Sequence, residues 1–228
     1  MLNSIVKRHS KINPLNDTGI EIVRSATKLF LQHGFTKTTF KMIEADSGIK
    51  TGAITYYFRT KEDMLFLLIE ELMDYHADVL EDMNERMEDP LLSYATEIAM
   101  QIALCENDKN AWDLYHSAYD HPHTYEHIKM WSAEKNYTLL KERLPHWTEH
   151  DFMAKEVVAS GIELAALKTD CDRHFTLEKK ISVVLDSLML LYEVPTDQRK
   201  SIIDKVLSLD CERIARDMFD RFVKRLDN

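Results

Sequence analysis

Apolar residues recur at helical spacing along nearly the whole chain, and few runs alternate between apolar and polar residues. In the first such segment Ile20, Val23, Thr27 and Phe30 line one helical face. Only five glycines and five prolines occur among 228 residues, so few positions interrupt regular structure. The pattern predicts an all-α fold.

Four helices are predicted in the N-terminal third. Asn16, Asp17 and Thr18 offer N-cap oxygens to the first helix, and Gly34 can end it in a left-handed conformation. The fourth begins at Thr60, with acidic residues in its first turn, where they complement the helix dipole. The predicted helices cover residues 18–33, 38–48 and 51–58, and the fourth runs on from residue 60.

The rest of the chain is predicted to form about seven helices, counted from residue 61. Breaks are expected at 89–90, 107–108, 121–122, 145, 170–174 and 195–196. No repeat, low-complexity tract or linker separates the two parts. We therefore expect the fourth helix to join an N-terminal domain (1–65) directly to a C-terminal domain (66–228).

The second and third predicted helices have the spacing of a helix-turn-helix, with Gly48 at the turn, where a positive φ is needed. The residues expected to share a core with the first helix are Ile43, Ile49, Ile54 and Phe58. The outward side chains combine small residues with hydroxyls and a lysine, which suits close approach to DNA bases and phosphates. They are Lys50, Thr51, Gly52, Ala53, Thr55 and Tyr56, with Tyr57 at the edge.

Charge is unevenly divided between the two parts. The formal net charge is −10, yet residues 1–65 carry ten basic against six acidic residues, a balance of +4. The remaining residues carry 19 basic and 33 acidic residues, a balance of −14. Because DNA binding needs only a locally positive surface, the acidic average does not exclude it.

The segment 26–65, ATKLFLQHGFTKTTFKMIEADSGIKTGAITYYFRTKEDML, resembles the DNA-binding domain of the TetR/AcrR family of transcriptional regulators. The resemblance implies a three-helix DNA-binding domain followed by a larger helical domain for ligand binding and dimerisation. It also implies a ligand-responsive repressor that binds a palindromic operator as a homodimer. Carried over by position, the family's contacts place Thr39 and Lys41 against a phosphate and a base edge. Residues 51–53 would face bases and residues 55–57 would hold the DNA backbone. Lys61 would meet a phosphate.

Two residues depart from the family pattern. Thr55 stands where the family usually has tyrosine, so its shorter hydroxyl can fall short of a phosphate, and Tyr56 or Tyr57 would replace it. Glu44 stands where the family prefers alanine, between the two short helices. Its carboxylate would either extend outward or weaken the packing of the motif.

Residues 111–131 hold the densest set of aromatic and histidine side chains in the chain. One interpretation is an effector pocket lined by Trp112, Tyr115, His116, Tyr119 and Trp131, because aromatic rings with polar tips suit a planar or amphipathic ligand. A second is ordinary core packing, with the histidines at a polar helix junction. A third is a metal or haem site formed by His121, His123 and His127, with Cys171 or His174, although this spacing fits no common metal motif. We predict no metal and no cofactor.

A homodimer is predicted because a single helix-turn-helix makes too few contacts for specific binding, whereas two copies can read successive major grooves. Residues 176–193 carry the apolar stripe Ile181, Val184, Leu185, Leu188 and Leu191, with further apolar residues on other faces. The expected interface is a four-helix arrangement of 176–193 and 199–225 with their symmetry mates. The alternatives are close packing through 152–167, or a monomer whose core takes up all three helices.

Other classes of protein find less support in the sequence. No GxSxG, P-loop, dinucleotide-binding or HExxH motif occurs, so we do not expect an enzyme. The longest apolar run has six residues, so we expect no membrane partner and a cytoplasmic location. The three cysteines form no CxxC pair and are expected to be reduced and mostly buried. A helical adaptor for protein partners remains an alternative, and it predicts no affinity for duplex DNA at any salt concentration.

Overall fold

The computed structural model of the protein describes residues 16–87 and 89–226, and every regular element in them is a helix. The charge count above therefore includes three basic residues, Lys7, Arg8 and Lys11, that lie outside the described residues. The helices are α1 (Asp17–His33), α2 (Phe40–Ser47), α3 (Thr51–Tyr57), α4 (Lys61–Met87), α5 (Pro90–Asn107), α6 (Lys109–Asp120), α7 (Pro122–Leu140), α8 (Glu149–Leu167), α9 (Leu177–Leu191), α10 (Thr196–Leu207) and α11 (Cys211–Leu226). The all-α prediction is confirmed.

Polar caps start most of these helices where the sequence predicted a break. Asp89 caps α5 by accepting from the backbone N–H groups of residues 91 and 92, and Pro90 occupies the first turn. Thr148 and Asp151 form a reciprocal capping box at the start of α8. Local side-chain chemistry therefore fixes these boundaries.

The prediction of one helix over residues 199–225 is wrong, because a short non-helical turn separates α10 from α11. Ser208 ends α10, and the Asp210 carboxylate accepts from the backbone N–H of Arg213 at 3.1 Å to begin α11. Neither glycine nor proline marks this break, so the pattern of apolar residues runs across it. The described chain thus has eight helices from residue 61 onward rather than seven.

Two groups of buried side chains form the core. The first joins α1–α4 to the ends of α5 and α11 and to α6, and it includes Phe30, Ile43, Ile54 and Leu114. The second lies between α5, α7, α8, α9 and α10. Because the first core continues from the N-terminal helices into the larger helical part, the division at residue 65 stays a prediction. No helix within the described ranges is long and apolar enough to cross a bilayer.

Candidate nucleic-acid interface and effector cavity

The helix-turn-helix is formed by α2, α3 and the turn between them. The Thr39 hydroxyl caps α2 by accepting from the backbone N–H of Met42 at 3.2 Å. Gly48 ends α2 with φ 73° and ψ 0°, the left-handed conformation that the sequence predicted for this turn. Ile43 and Ile54 are fully buried and hold the two helices against α1.

Glu44 forms the N-terminal cap of α3 from the neighbouring helix. One carboxylate oxygen accepts from the backbone N–H of Thr51 at 2.9 Å and from its hydroxyl at 2.6 Å. The other accepts from Lys50 Nζ at 3.0 Å. These hydrogen bonds, that of the Thr51 hydroxyl first, lower the pKa of Glu44 to about 2. Glu44 therefore ties α2 to α3, an arrangement that neither of the two alternatives considered for it from the sequence included.

The residues predicted to contact DNA are all exposed or partly exposed, and we call this set the α3 face: Thr39, Lys41, Lys50, Thr51, Gly52, Ala53, Thr55, Tyr56, Tyr57 and Lys61. Tyr56 is the most exposed large hydrophobic residue among them, at 84%. The Thr55 hydroxyl donates back to the Thr51 carbonyl at 3.1 Å, so it lies against its own helix. Tyr56 is consequently the hydroxyl that projects furthest from α3, and the predicted DNA contacts stay predictions.

Lys61 has contacts inside the domain as well as an accessible surface. Its Nζ donates to the Phe35 carbonyl at 2.7 Å and lies 4.4 Å from the centre of the Phe35 ring. Desolvation by the surrounding protein lowers the pKa of this lysine. Lys61 therefore closes the loop between α1 and α2, and its predicted phosphate contact would use a remaining N–H.

A cavity of about 580 Å³ lies between α4, α5, α6, α7 and α8. Tyr115 and Tyr119 of α6 and Trp131 of α7 contribute to its wall, as the sequence predicted. Its apolar lining includes Ile69, Leu72, Met73, Ile98 and Ile128. A second cavity of about 470 Å³ shares Leu72, His76, Glu97, Gln101 and Tyr115 with the first.

Polar side chains from five helices meet in the wall of the larger cavity. Lys135 of α7 donates to Glu97 of α5 at 2.6 Å, and His76 of α4 lies 3.6 Å from the other oxygen of that carboxylate. Tyr119 donates to Glu163 of α8 at 2.9 Å. Asn136, also in this wall, donates to Glu156 at 3.2 Å and to the hydroxyl of Tyr192 at 3.0 Å, both of which lie behind it. The site is therefore apolar with a buried, mainly acidic group of side chains.

Burial determines the protonation of these groups. It raises the pKa of Glu156 to about 8, with a further contribution from the nearby Glu163, and it raises the pKa of Glu163 as well. Burial also lowers the pKa of His76, which favours the neutral imidazole. Within the described chain, the Tyr94 hydroxyl and the Asn136 amide oxygen are buried without a hydrogen-bond partner. Such groups cost free energy until a partner binds them.

Comparison with known proteins identifies the N-terminal part. The family described as "Bacterial regulatory proteins, tetR family" matches residues 22–68, which include both short helices and the start of α4. Residues 22–68 are therefore a TetR-family DNA-binding domain. It is 32% identical over 71 residues to the HTH-type transcriptional regulator HbdR of Aromatoleum sp. (strain CIB). That match spans 31% of this chain and 31% of HbdR.

Two solved structures extend the TetR-family likeness to the overall fold. The structure of RolR in complex with resorcinol aligns with a TM-score of 0.65 at 13% identity and covers 86% of this chain and 95% of RolR. The multidrug binding protein EbrR, complexed with imidazole, aligns with a TM-score of 0.50 at 21% identity over 78% of this chain and 96% of EbrR. At these identities the alignments establish the fold alone.

Two of the predicted effector residues lie away from the cavity in this TetR-family fold. The indole N–H of Trp112 donates to the Leu167 carbonyl at 2.9 Å, and the ring stacks on His116 with 4.6 Å between centroids. His116 also lies 3.5 Å from Asp120 on the same helix. Trp112 and His116 therefore fasten α6 to the end of α8, while the other three predicted residues line the cavity.

The acidic cavity residues were missed in the sequence, although one signal was present. Glu97 directly precedes the apolar run 98–100, and Glu163 stands between apolar residues within 161–167. A lone acid within an apolar helical stretch marks a buried charge that needs a partner. The sequence could have singled out each of these acids, but not their meeting with Lys135 and His76.

The histidines proposed as metal ligands pack at a helix junction. His123 and His127 lie against the Phe66 ring at 4.7 and 5.0 Å, and His127 lies 3.5 Å from Glu70. The His121 ring bonds the Thr124 hydroxyl at 2.9 Å. Across residues 16–87 and 89–226, no three His, Cys, Asp or Glu side chains are grouped as a metal site would need.

The apolar stripe predicted to form a dimer lies inside the subunit. Ile181, Val184, Leu185 and Leu188 of α9 are buried in the second core. Other apolar and small residues of these two helices are exposed, and we call them the α8–α9 face: Val157, Val158, Gly161 and Ala165 of α8 with Val183 and Leu190 of α9. The stripe was misassigned because α9 is apolar on nearly all sides, which sequence periodicity cannot resolve.

The α6 helix contacts both the cavity and the N-terminal helices. At its start, Asn110 donates to the carbonyls of Leu31 and Gln32 at 3.2 and 3.0 Å. The Asp113 carboxylate accepts from the backbone N–H of Thr36 at 2.7 Å and from its hydroxyl at 2.5 Å. A Cβ at position 34 would approach Asp113 to 2.7 Å, so Gly34 is needed both for its φ of 87° and for this contact. We call these contacts the α6 latch.

Proposed function

We propose that the protein is a ligand-responsive transcriptional repressor that binds a palindromic operator as a homodimer and is released by a small molecule. The observation that carries the proposal is the α3 face, an accessible set of hydroxyl, lysine and small side chains on a TetR-family helix-turn-helix. Binding to chromosomal DNA would place the protein in the cytoplasm.

The support for DNA binding is geometric as well as familial. Gly52 and Ala53 are exposed on α3 and carry little or no side chain, so the helix backbone can approach base edges closely. Lys41 and Lys50 are exposed on the same side and can neutralise phosphates. The Glu44 cap holds α3 in a fixed orientation, which reduces the entropy lost when the helix enters the major groove.

The support for a homodimer is the α8–α9 face. Leu190 and Val157 are each 58% exposed, and these two helices would form a four-helix contact with a second copy. A two-fold dimer presents two copies of α3 to successive major grooves, and this arrangement reads an inverted repeat.

The support for effector release is the position of α6. Tyr115 and Tyr119 line the cavity from one side of this helix, and Asn110 and Asp113 of the α6 latch hold the N-terminal helices. RolR and EbrR were both solved with small organic molecules bound, resorcinol and imidazole respectively. A ligand that displaces the two tyrosines would shift the latch and with it the separation of the two α3 helices.

Recovery of bound duplexes from a random pool tests the proposal. We expect an inverted repeat among the recovered sequences, and an affinity that falls steeply with salt as counterions are released. Lys41→Ala should weaken binding to all sequences and reduce the salt slope by about one per subunit. Lys205→Ala, on the exposed surface of α10, is the matched control and should change neither. Absence of duplex binding at every salt concentration would instead favour a helical adaptor.

A further inference from the structure

The central cavity combines an apolar body with one polar end. Aliphatic and aromatic side chains from α4, α5, α6 and α7 line most of its wall. The polar groups Glu97, Lys135, Asn136 and Glu163 contribute to the same wall. A ligand that fills this space must therefore be largely apolar with a polar group at one end.

The polar end contains more acids than bases. Glu97 is paired with Lys135 at 2.6 Å, so one positive charge is already used. Glu163 and Glu156 lie close together on α8. Among the hydrogen bonds of the described residues, neither carboxyl group is bonded to a lysine or an arginine. Glu163 retains some accessible surface although protein surrounds it, and we attribute that surface to the cavity it lines.

The unpartnered atoms point to the same chemistry. The Asn136 side chain is 3% exposed, and its amide oxygen, which can only accept, has no partner. The Tyr94 hydroxyl is also unpartnered, and its side chain is 1% exposed. Both residues line the cavity. A ligand bearing several N–H donors would satisfy the amide oxygen and the carboxylates together.

We infer that the effector is an organic cation, an ammonium or related N–H-bearing group carried on an apolar or aromatic body, with its positive charge next to Glu163. This inference deepens the proposed function, since it gives the chemical class of the ligand that would act there. The rings of Tyr119 and Trp131 in the wall can add cation–π attraction.

Proton release should accompany binding of such a cation. The titratable and charged groups around Glu163 come from every neighbouring helix: His76, Tyr94, Glu97, Tyr115, Tyr119, Lys135, Glu156 and Tyr192. Without ligand, burial favours the protonated form of Glu163 and of Glu156. A cation favours the carboxylate, so it lowers this pKa and expels a proton. Affinity should therefore rise with pH.

Calorimetric titration with three matched probes tests the inference: 2-naphthylmethylamine, 2-naphthylmethanol and 2-naphthoate. We expect the amine to bind at least about tenfold more tightly than the alcohol, and the naphthoate to bind most weakly. Below about pH 8, the value to which burial raises the pKa of the neighbouring Glu156, the affinity for the amine should rise with pH by no more than about tenfold per pH unit, while that for the alcohol stays constant. Titrations in two buffers of different ionisation enthalpy should show a net release of protons when the amine binds.

Glu163→Gln should lower the affinity for the amine by about tenfold or more and change that for the alcohol by less than about twofold. Glu149→Gln, at an exposed position of the same helix, should change neither. The proton count uses the unaltered protein, so it decides the question even if the variant folds poorly. Equal affinities for amine and alcohol, or amine binding without proton release, would overturn the inference.

Duplex binding measured on the same samples separates this inference from the proposed function. Amine binding that leaves DNA affinity unchanged would sustain the ligand class and overturn effector release. DNA binding that responds to the alcohol rather than the amine would sustain the repressor and overturn the ligand class.

Discussion

Glutamates at the helix-turn-helix and at the cavity have opposite environments. Glu44 lies at the surface, where hydrogen bonds from Thr51 and Lys50 satisfy both oxygens and lower its pKa to about 2. Nearby, Lys28 and Ser25 satisfy Asp46 and lower its pKa in the same way. Behind the cavity wall, burial instead raises the pKa of Glu156 to about 8.

This difference separates a surface that is already organised from a site that is incomplete. The N-terminal helices satisfy their polar groups internally, so α3 can meet DNA without first rearranging. The larger part of the fold leaves hydrogen-bonding atoms unpaired on Tyr94 and Asn136, and it leaves the α8–α9 face uncovered. Free energy remains to be gained there when a ligand or a second subunit binds, and a ligand-controlled switch needs such a reserve.

Leu190→Glu should give the largest effect, because it places a charge in the proposed contact twice per dimer. Leu190 is 58% exposed in one subunit, so the subunit itself should fold normally. We expect the dissociation constant of the dimer to rise by about 100-fold or more, with an unchanged circular dichroism spectrum. Sedimentation at micromolar concentration measures this.

Leu188→Glu is the contrasting variant on the same helix. Leu188 is fully buried in the second core, so a glutamate there should cost about 3–5 kcal/mol of folding free energy and unfold much of the protein. A Leu190→Glu protein that remains dimeric would show that the α8–α9 face is not the contact between subunits.

Glu156→Gln should stabilise the protein at neutral and alkaline pH. The folded state holds this proton up to about pH 8, whereas an ordinary glutamate releases it near 4.5. Between these values the folded state binds more protons than the unfolded state, so the stability of the unaltered protein falls as pH rises, by a few kcal/mol in all, at about 1.4 kcal/mol per pH unit or less. Glutamine cannot ionise and removes this loss.

Thermal unfolding from pH 5 to pH 8 provides the measurement for Glu156→Gln. We expect a Tm increase of about 5 °C at pH 8 and little change at pH 5. Glu149→Gln is the control at an exposed position on the same helix. An equal effect at both pH values would mean that the carboxyl group does not carry a raised pKa.

The sequence predicts a region well where the residues that determine its structure lie close together in the chain. The α2 and α3 boundaries depend on Thr39 and Gly48 within a few residues, and caps and turns of this kind are legible in a sequence. The polar end of the cavity requires Glu97, Lys135 and Glu163 to meet from three helices. No spacing in the sequence encodes that meeting, so only Tyr115, Tyr119 and Trp131 were expected near a ligand.

Glu44 and the apolar stripe of α9, where the structure differs from the sequence prediction, show the same limit. Glu44 was judged by the family's preference for alanine, but its carboxylate reaches Thr51, seven residues away on the next helix. Apolar periodicity identified α9 as a helix covered on more than one side. It could not tell which side faces the core of its own subunit.

Glu44→Ala should reduce the discrimination between operator and unrelated duplex. Loss of the cap frees the start of α3 and weakens specific contacts, while loss of a negative charge and release of Lys50 favour any duplex. We expect the ratio of the two affinities to fall by about tenfold, measured by fluorescence anisotropy. Glu21→Ala removes an equal charge on α1 and should leave the ratio unchanged. A preserved ratio in Glu44→Ala would mean that the cap does not organise the α3 face.

Asp113→Asn should have the smallest effect on DNA binding and on ligand binding when each is measured alone. It should act mainly on the coupling between the two. The carboxylate accepts from the backbone N–H and the hydroxyl of Thr36, and an amide can accept through only one of its atoms. Asp113 lies on the opposite side of α6 from the cavity-lining Tyr115 and Tyr119, and it is not among the residues that line the cavity. Affinity for ligand should therefore stay within about twofold of the original value.

The quantity that should change is the factor by which saturating ligand weakens DNA binding. Coupling of this kind is the free-energy difference that the ligand transmits through a two-state element, commonly about 5- to 150-fold in affinity. If the α6 latch is that element, Asp113→Asn should reduce the factor by about fivefold, because a loosened latch transmits less of the displacement of α6. Asp120→Asn, at the far end of the same helix and paired with Lys168, is the matched control and should keep the full factor. An unchanged factor in Asp113→Asn would place the transmission elsewhere, through α4, which passes from the helix-turn-helix into the cavity wall without a break.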